Sequence, residues 1–129
     1  MERVKKYLID SDILIDYLRG LLKTRDFLFR LREKGILIIS VINVVEVYSG
    51  KEIKNAKKRK IVDGFLNEFE IISLEENLAR EAGKIRMKYQ VPFADAIIAA
   101  TAMKTKSFLA TRNIKHFSKI KNLKIISSE

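Results

Sequence analysis

Cysteine is absent from the 129 residues of this chain, and histidine occurs once, at His116. Without cysteine the chain cannot form a disulfide scaffold, a thiolate zinc site or a cysteine nucleophile. A single histidine excludes a histidine-rich zinc site and a nuclease that uses two histidines as acid and base. The GxSxG, GxxxxGK[ST] and GxGxxG motifs are also missing. If this protein is an enzyme, its chemistry therefore comes mainly from carboxylates.

Glycine and proline are scarce as well, with five and one, and no stretch rich in them divides the chain. The length and a hydrophobic content of 47% predict one domain, residues 1–129, with a proper core. The amino terminus lacks the apolar segment of a signal peptide, and runs such as ILIIS are too short to span a bilayer. We therefore expect a soluble, cytoplasmic protein.

The net charge is +10, from 26 Lys and Arg against 16 Asp and Glu. This sign suggests a polyanionic partner, because basic side chains that neutralise phosphates release counterions. A Lys- and Glu-rich surface of the kind found in heat-adapted proteins explains the composition equally well. The densest block, KEIKNAKKRK at residues 51–60, is more typical of a solvated helix face than of an RNA contact. Charge therefore suggests a partner without identifying it.

Short apolar runs alternate with segments of helical spacing along the whole chain. This alternation predicts an α/β protein with a mostly parallel sheet and helices on both faces. The predicted strands are residues 6–9, 36–40, 70–74, 108–111 and 123–127. Three predicted helices end at Gly20, Gly35 and Gly50. Four more are predicted over residues 51–69, 75–90, 93–106 and 114–117.

Acidic residues follow or adjoin several of these strands, and parallel sheets form their sites beyond the carboxyl ends of strands. Asp10 follows the first strand, where it is either a turn residue or a functional group. Ser11 or Asp12 can cap the next helix, so Asp10 is not needed for that purpose. We interpret Asp12 as a cap or rim residue and Asp16 as part of the solvated face.

Asp95 lies in FADAIIAATA, a segment that is otherwise apolar or small. The helix dipole favours an acid in a first turn, but buried acids are uncommon unless they are paired or bound to metal. We therefore predict a functional role for Asp95. Glu46 follows the predicted N-cap Ser40 by six residues and lies on the polar side of its helix. Taken alone, that position indicates only an ordinary polar stripe.

Thr111 and Asn113 follow the fourth predicted strand, where they either cap the next helix or present oxygen atoms to the same cleft. For His116 we expect a structural role. Three acids at one edge of a sheet repel one another unless a cation neutralises them, and oxygen ligands favour Mg²⁺ or Mn²⁺. Such an ion activates water and offsets charge on a phosphoryl transition state, so a phosphodiester is the natural substrate.

Four blocks of the sequence, in order, resemble the PIN-domain nucleases, and within them the VapC-type toxins of toxin–antitoxin systems. YLIDSDILIDYLRG is similar to the opening block of the family and places its first acid at Asp10. SVINVVEVYSG and FADAIIAATAM resemble the second and third blocks, with Glu46 and Asp95 as their acids. FLATRNIKHFSKI followed by LKII looks like the closing block and final strand.

The resemblance implies a three-layer α/β/α sandwich, often dimeric, with about five strands and Mg²⁺- or Mn²⁺-dependent endoribonuclease activity. Asp10 and Asp95 would be the main metal ligands, with Glu46 completing the acidic cluster that activates water. Family members are silenced by a small cognate antitoxin. RNA, an antitoxin and a second copy of the chain are therefore the expected partners.

Two positions depart from the family pattern. Asn113 stands where the family often has a fourth acid, and an amide supplies an oxygen atom without a negative charge. We therefore expect weaker support for a second metal ion. Asp12 occupies a position often held by asparagine and adds charge at the rim. Thr111, Asn113 and Asp12 are predicted as supporting residues.

Three alternative functions remain. The Asp-Ser-Asp sequence is also similar to haloacid-dehalogenase-type phosphatases, but Leu14 stands where they need threonine or valine, and their later blocks are not apparent. A PIN-like module that has lost its metal site and binds RNA or protein is disfavoured because all three acids are present. A receiver-like phosphoacceptor domain would need a lysine after a late strand, which is missing.

Overall fold

Five parallel strands form one sheet in the computed structural model, which describes residues 4–128. The order across the sheet is β3-β2-β1-β4-β5, and each of the four pairings is parallel. The strands are β1 (Lys5–Ile9), β2 (Gly35–Ser40), β3 (Glu70–Ile72), β4 (Phe108–Thr111) and β5 (Ile125–Ser127). The predicted parallel sheet of about five strands is confirmed.

Seven α-helices and one 3₁₀ helix, Lys51–Ile53, connect these strands within residues 4–128. None of these helices is long and apolar enough to cross a membrane. The α-helices are α1 (Ser11–Leu18), α2 (Leu22–Lys34), α3 (Val41–Tyr48), α4 (Ala56–Leu66), α5 (Glu76–Tyr89), α6 (Phe93–Thr105) and α7 (Ile114–Phe117).

The predicted helix over residues 51–69 is wrong, because the chain breaks there into the 3₁₀ helix and α4. The side chain of Asn55 accepts a hydrogen bond of 2.8 Å from the backbone N–H of Lys58 and so caps a new helix. The strands predicted at residues 70–74 and 123–127 are shorter than expected. Both are edge strands, which pair on one side only and so have fewer hydrogen bonds to extend them.

The sheet separates two hydrophobic cores, because alternate side chains of a strand point to opposite faces. Tyr7 and Ile9 of β1 pack with apolar side chains of α1, α2, α3 and α4. Leu8, between them, packs on the other face with side chains of α5, α6 and α7. Each core is covered by one layer of helices. The three-layer α/β/α sandwich is therefore confirmed.

The strand order reverses between β1 and β4. From β1 the chain moves outward through β2 to β3, and then returns to add β4 and β5 on the other edge of β1. The backbone N–H of Asp10 donates to the carbonyl oxygen of Ala110 at 3.0 Å, so the two strand ends are joined. In open α/β sheets the crevice at such a reversal is the usual binding site.

Gly35 is expected to tolerate no side chain, because it opens β2 directly beside Lys5 of β1. A Cβ at this position would lie 2.2 Å from the carbonyl oxygen of Lys5. We expect Gly35→Ala to lower the free energy of unfolding by about 3 kcal/mol in urea denaturation. Gly64→Ala is the matched control, since a Cβ there meets nothing within 4 Å. This helical variant should gain about 0.5 kcal/mol, and equal losses in both variants would contradict the prediction.

Candidate active site

Asp10 is buried at the carboxyl end of β1, with 7% of its surface exposed. Its Oδ1 accepts a hydrogen bond of 2.8 Å from the backbone N–H of Ser11, and its Oδ2 accepts one of 2.7 Å from the hydroxyl of Thr111. Asp10 itself is thus the N-cap of α1, so the expectation that Ser11 or Asp12 caps this helix is wrong. The role predicted for Asp10 is compatible with capping, because a carboxylate has further lone pairs.

Burial raises the pKa of Asp10 to about 6. The hydrogen bonds from Thr111 and Ser11 lower this pKa, while the neighbouring carboxylates of Asp12 and Asp95 raise it. Burial is the largest of these effects, since a buried anion loses its hydration. The ionised form of Asp10 is therefore short of positive charge around it.

Asp95 lies in the first turn of α6, with its side chain 19% exposed. Its Oδ2 is buried and has no hydrogen-bond donor within the described part of the chain. Nδ1 of His116 lies 3.2 Å from this oxygen, which is an ion-pair distance without the geometry of a hydrogen bond. Burial raises the pKa of Asp95, and Asp12 raises it further, whereas His116 lowers it. Two of the predicted acids are thus held in surroundings that disfavour their negative charge.

Asp12 and Asn113 join the first turn of α1 to the loop after β4. The side-chain amide of Asn113 donates to Oδ2 of Asp12, and the backbone N–H of Asn113 donates to the Thr111 hydroxyl at 2.9 Å. Asp12 also acts on the pKa values of both Asp10 and Asp95. The structure therefore brings all three predicted supporting residues to the same edge of the sheet.

Glu46 reaches this edge through Ser11. The Ser11 hydroxyl donates to Oε1 of Glu46 at 2.7 Å, while the backbone N–H of Ser11 donates to Asp10. The helix that carries Glu46 begins as predicted, because the side chain of Ser40 caps it and Asn43 completes a capping box. Ser11 thus links Glu46 to Asp10 through two hydrogen bonds.

Asp16 is not on the solvated face, contrary to prediction. It is buried, and its Oδ2 lies 3.1 Å from Nε of Arg112. This contact lies one turn along α1 from the hydrogen bond between Asn113 and Asp12. Two successive turns of α1 therefore hold the loop after β4, and this loop keeps Thr111 against Asp10.

The donor set suits a hard divalent cation, although it is not closed around one. No group of three Asp, Glu or His side chains within residues 4–128 is already arranged to hold a metal ion. The available donors are oxygen atoms, which Mg²⁺ and Mn²⁺ prefer. The buried Oδ2 of Asp95 without a donor and the raised pKa of Asp10 indicate missing positive charge. The residues present fit such an ion, and the ligand roles of Asp10, Asp95 and Glu46 stay predictions.

Three residues at this edge were missed by the sequence reasoning. His116 was expected to be structural, yet its imidazole is more than half exposed and lies against Asp95. Ser11 was considered only as a cap, and no role was predicted for Asn43. A signal for Asn43 exists in the sequence, because a capping box needs a polar residue three positions after the cap. No comparable signal marks Ser11 or His116.

A family profile for the PIN domain matches residues 7–123 of this chain. The chain is 36% identical over 122 residues to a protein named ribonuclease VapC10 from Mycobacterium tuberculosis, covering 91% of this chain and 90% of the relative. It is 34% identical over 121 residues to ribonuclease VapC1 from Methanocaldococcus jannaschii, covering 90% and 82%. These relatives extend over nearly the whole chain.

Solved structures show the same fold. A toxin–antitoxin complex from Klebsiella pneumoniae contains a chain of 29% identity that superposes with a TM-score of 0.81, covering 95% of this chain and 98% of that one. A chain in the VapBC2 complex from Rickettsia felis superposes equally well at 24% identity. Because the family profile and the two named ribonucleases cover nearly all of its sequence, this chain belongs to the PIN-domain family of nucleases and is of the VapC type.

Proposed function

We propose that this protein is a Mg²⁺- or Mn²⁺-dependent endoribonuclease and the toxin of a VapBC-type toxin–antitoxin pair. The observation that carries the proposal is the buried Oδ2 of Asp95, which has no hydrogen-bond donor among residues 4–128 and lies at the edge of the sheet that also holds Asp10 and Asp12. His116 lies 3.2 Å from this oxygen, but the pKa of Asp95 stays raised despite it, so the acid still lacks positive charge. Two relatives named as ribonucleases support RNA as the substrate.

Asp10, Asp95 and Glu46 are the residues that would hold the ion. When bound, a divalent cation lowers the pKa of water and offsets negative charge on a phosphodiester transition state. The chain itself orients these acids, since Thr111 and the Ser11 backbone hold Asp10 and the Ser11 hydroxyl holds Glu46. Fixed donors of this kind reduce the reorganisation needed during the reaction.

The positive charge of the protein supports a polyanionic substrate. The net charge is +10, and the basic side chains at residues 57–60 are exposed on α4. Such charges attract RNA independently of its sequence, whereas loops and splayed bases determine which RNA is cut. Because its substrate would be cellular RNA, we place the enzyme in the cytoplasm.

A small antitoxin and a second copy of this chain are the proposed protein partners. Support for the antitoxin comes from the Klebsiella toxin–antitoxin complex, which contains a chain of the same fold. Several large apolar side chains are more than 60% exposed, so the surface offers area that a partner can bury. The exposed set includes Leu22, Phe29, Met87 and Phe93.

Removal of the metal is expected to abolish cleavage. A pool of structured RNAs should be cut in Mg²⁺ or Mn²⁺, left intact in excess EDTA, and cut again when Mn²⁺ is restored. Titration calorimetry with Mn²⁺ provides a measure of metal binding that does not depend on the choice of RNA. Cleavage that persists in EDTA would contradict the metal-dependent mechanism. RNA binding without cleavage and without Mn²⁺ binding would instead support a silent PIN-like module.

A further inference from the structure

A continuous chain of hydrogen bonds runs from the end of β2 to Glu46. The backbone N–H of Ser40 donates to Oδ1 of Asn43 at 2.8 Å, and Nδ2 of Asn43 donates to the Ser11 hydroxyl at 2.8 Å. The Ser11 hydroxyl in turn donates to Oε1 of Glu46 at 2.7 Å. Asn43 has no exposed surface and Ser11 only 4%, so water does not compete for these groups.

The backbone N–H of Ser40 determines which group donates and which accepts in each of these hydrogen bonds. The Ser40 N–H can only donate, so the carbonyl oxygen of the Asn43 amide faces it and the NH₂ group faces Ser11. The Ser11 oxygen therefore accepts from Asn43, which leaves its proton free for Glu46. A serine hydroxyl normally rotates among several partners, but here one orientation satisfies all groups.

We propose that Asn43 is a positioning residue for Glu46 and acts through the Ser11 hydroxyl. The inference rests on the proposed function, because it assigns Glu46 to the metal-binding edge. These hydrogen bonds reach Glu46 through Oε1 and do not use Oε2. Glu46 is thereby held at one oxygen, and the second oxygen of the carboxylate is the one proposed to meet a ligand. Outer hydrogen bonds of this kind commonly orient the carboxylates that bind metal ions.

Ser11 donates to the two acids from different groups, so their contacts can be changed independently. Asp10 is bonded to the backbone N–H of Ser11, which a change of the Ser11 side chain leaves in place. Glu46 is bonded to the hydroxyl, which such a change removes. Substitutions of Asn43 or of the Ser11 side chain are therefore expected to act on Glu46 and to spare the contact with Asp10.

Asn43→Asp tests the direction of the hydrogen bonds that lead from Ser40 to Glu46. The substitution keeps the shape and the acceptor for Ser40, but in its ionised form it has no donor for Ser11, so the Ser11 proton turns to the new carboxylate and leaves Glu46. We expect the affinity for Mn²⁺ in calorimetry, and kcat for RNA, each to fall roughly 10- to 100-fold, with KM little changed.

Ser11→Ala should give the same result if Asn43→Asp does not fold. Ser49→Ala, which removes an exposed hydroxyl bonded to the Val45 carbonyl on the same helix, should have no effect.

A double-mutant cycle distinguishes positioning from a purely structural role. In the Glu46→Ala variant, Ser11→Ala should change the Mn²⁺ affinity less than about two-fold, because its target is gone. An equal loss in both backgrounds would overturn the inference, as would unchanged affinity and kcat when Ser11→Ala is made alone. If the unmodified protein itself binds no Mn²⁺ and cuts no RNA, the proposed function fails and the inference fails with it.

Discussion

Asp95→Asn is expected to reduce RNA cleavage roughly 10³-fold while the protein stays folded. Asparagine keeps the shape of the side chain but removes the charge from the buried oxygen, for which residues 4–128 provide no hydrogen-bond donor. A divalent ion contributes several kcal/mol to a phosphoryl transition state, and each 1.4 kcal/mol or so corresponds to a factor of ten in rate. The measurement is single-turnover cleavage of the best substrate from the RNA pool, with excess enzyme and saturating Mg²⁺.

Asp26→Asn is the matched control, because it makes the same chemical change at an exposed position of α2. It should cut RNA at the rate of the unmodified protein. The Mn²⁺ affinity of Asp95→Asn should fall in calorimetry, and its circular dichroism spectrum should stay unchanged. If Asp95→Asn cuts RNA at the unmodified rate, then Asp95 does not belong to the reacting site. The proposed site would then have to be given up.

The interior of the fold could be predicted from the sequence because local patterns and global packing agree there. Phe108–Thr111 and the short helix Ile114–Phe117 were predicted with the bounds that the structure has. The two edge strands were predicted too long, since the apolar pattern continues past Ile72, the last residue of β3 that pairs, and begins before Ile125, the first residue of β5 that pairs. The break at Asn55 depends on one side-chain cap inside a charged segment, and hydrophobic periodicity does not predict such a cap.

The candidate site could be predicted less completely, because its contacts join distant segments. Asp10, Glu46 and Asp95 were predicted from three of the four motif blocks, but the burial of Asp16 depends on which face of α1 meets the loop that carries Arg112. The bond between Asn43 and Ser11 likewise joins residues 32 positions apart. Small polar residues that cap helices and those that orient acids look alike in a sequence.

Asp10 has an observed role in the fold and a proposed role in the site. Asp10 caps α1 and lies at the reversal of strand order. Its burial without a metal ion lowers the free energy of unfolding when the carboxyl is ionised. Asparagine is as good an N-cap as aspartate and is uncharged. Replacing Asp10 by asparagine separates the two roles, because capping remains and the charge is lost.

Asp10→Asn is accordingly expected to stabilise the metal-free protein at neutral pH while abolishing cleavage. The pKa of Asp10 is raised from 3.8 to about 6 by burial, so the folded state holds its proton where the unfolded chain has lost it. This contribution to stability is fully present below about pH 4 and is lost as the pH rises through about 6. At about 1.4 kcal/mol per pKa unit, the variant should be more stable than the unmodified protein by about 3 kcal/mol at pH 8.

Urea denaturation in EDTA at pH 5 and at pH 8 measures this difference, which should be roughly half as large at pH 5, because that pH lies between the pKa values of the unfolded and folded states. Mn²⁺ at pH 8 should raise the free energy of unfolding of the unmodified protein but not that of Asp10→Asn, because binding to the folded state alone stabilises it. Asp16→Asn provides the contrast, since it removes a buried acid that is paired with Arg112 and should destabilise the protein at both pH values. A destabilised Asp10→Asn at pH 8 would mean that the hydrogen bonds from Thr111 and Ser11 outweigh the cost of burying this carboxylate.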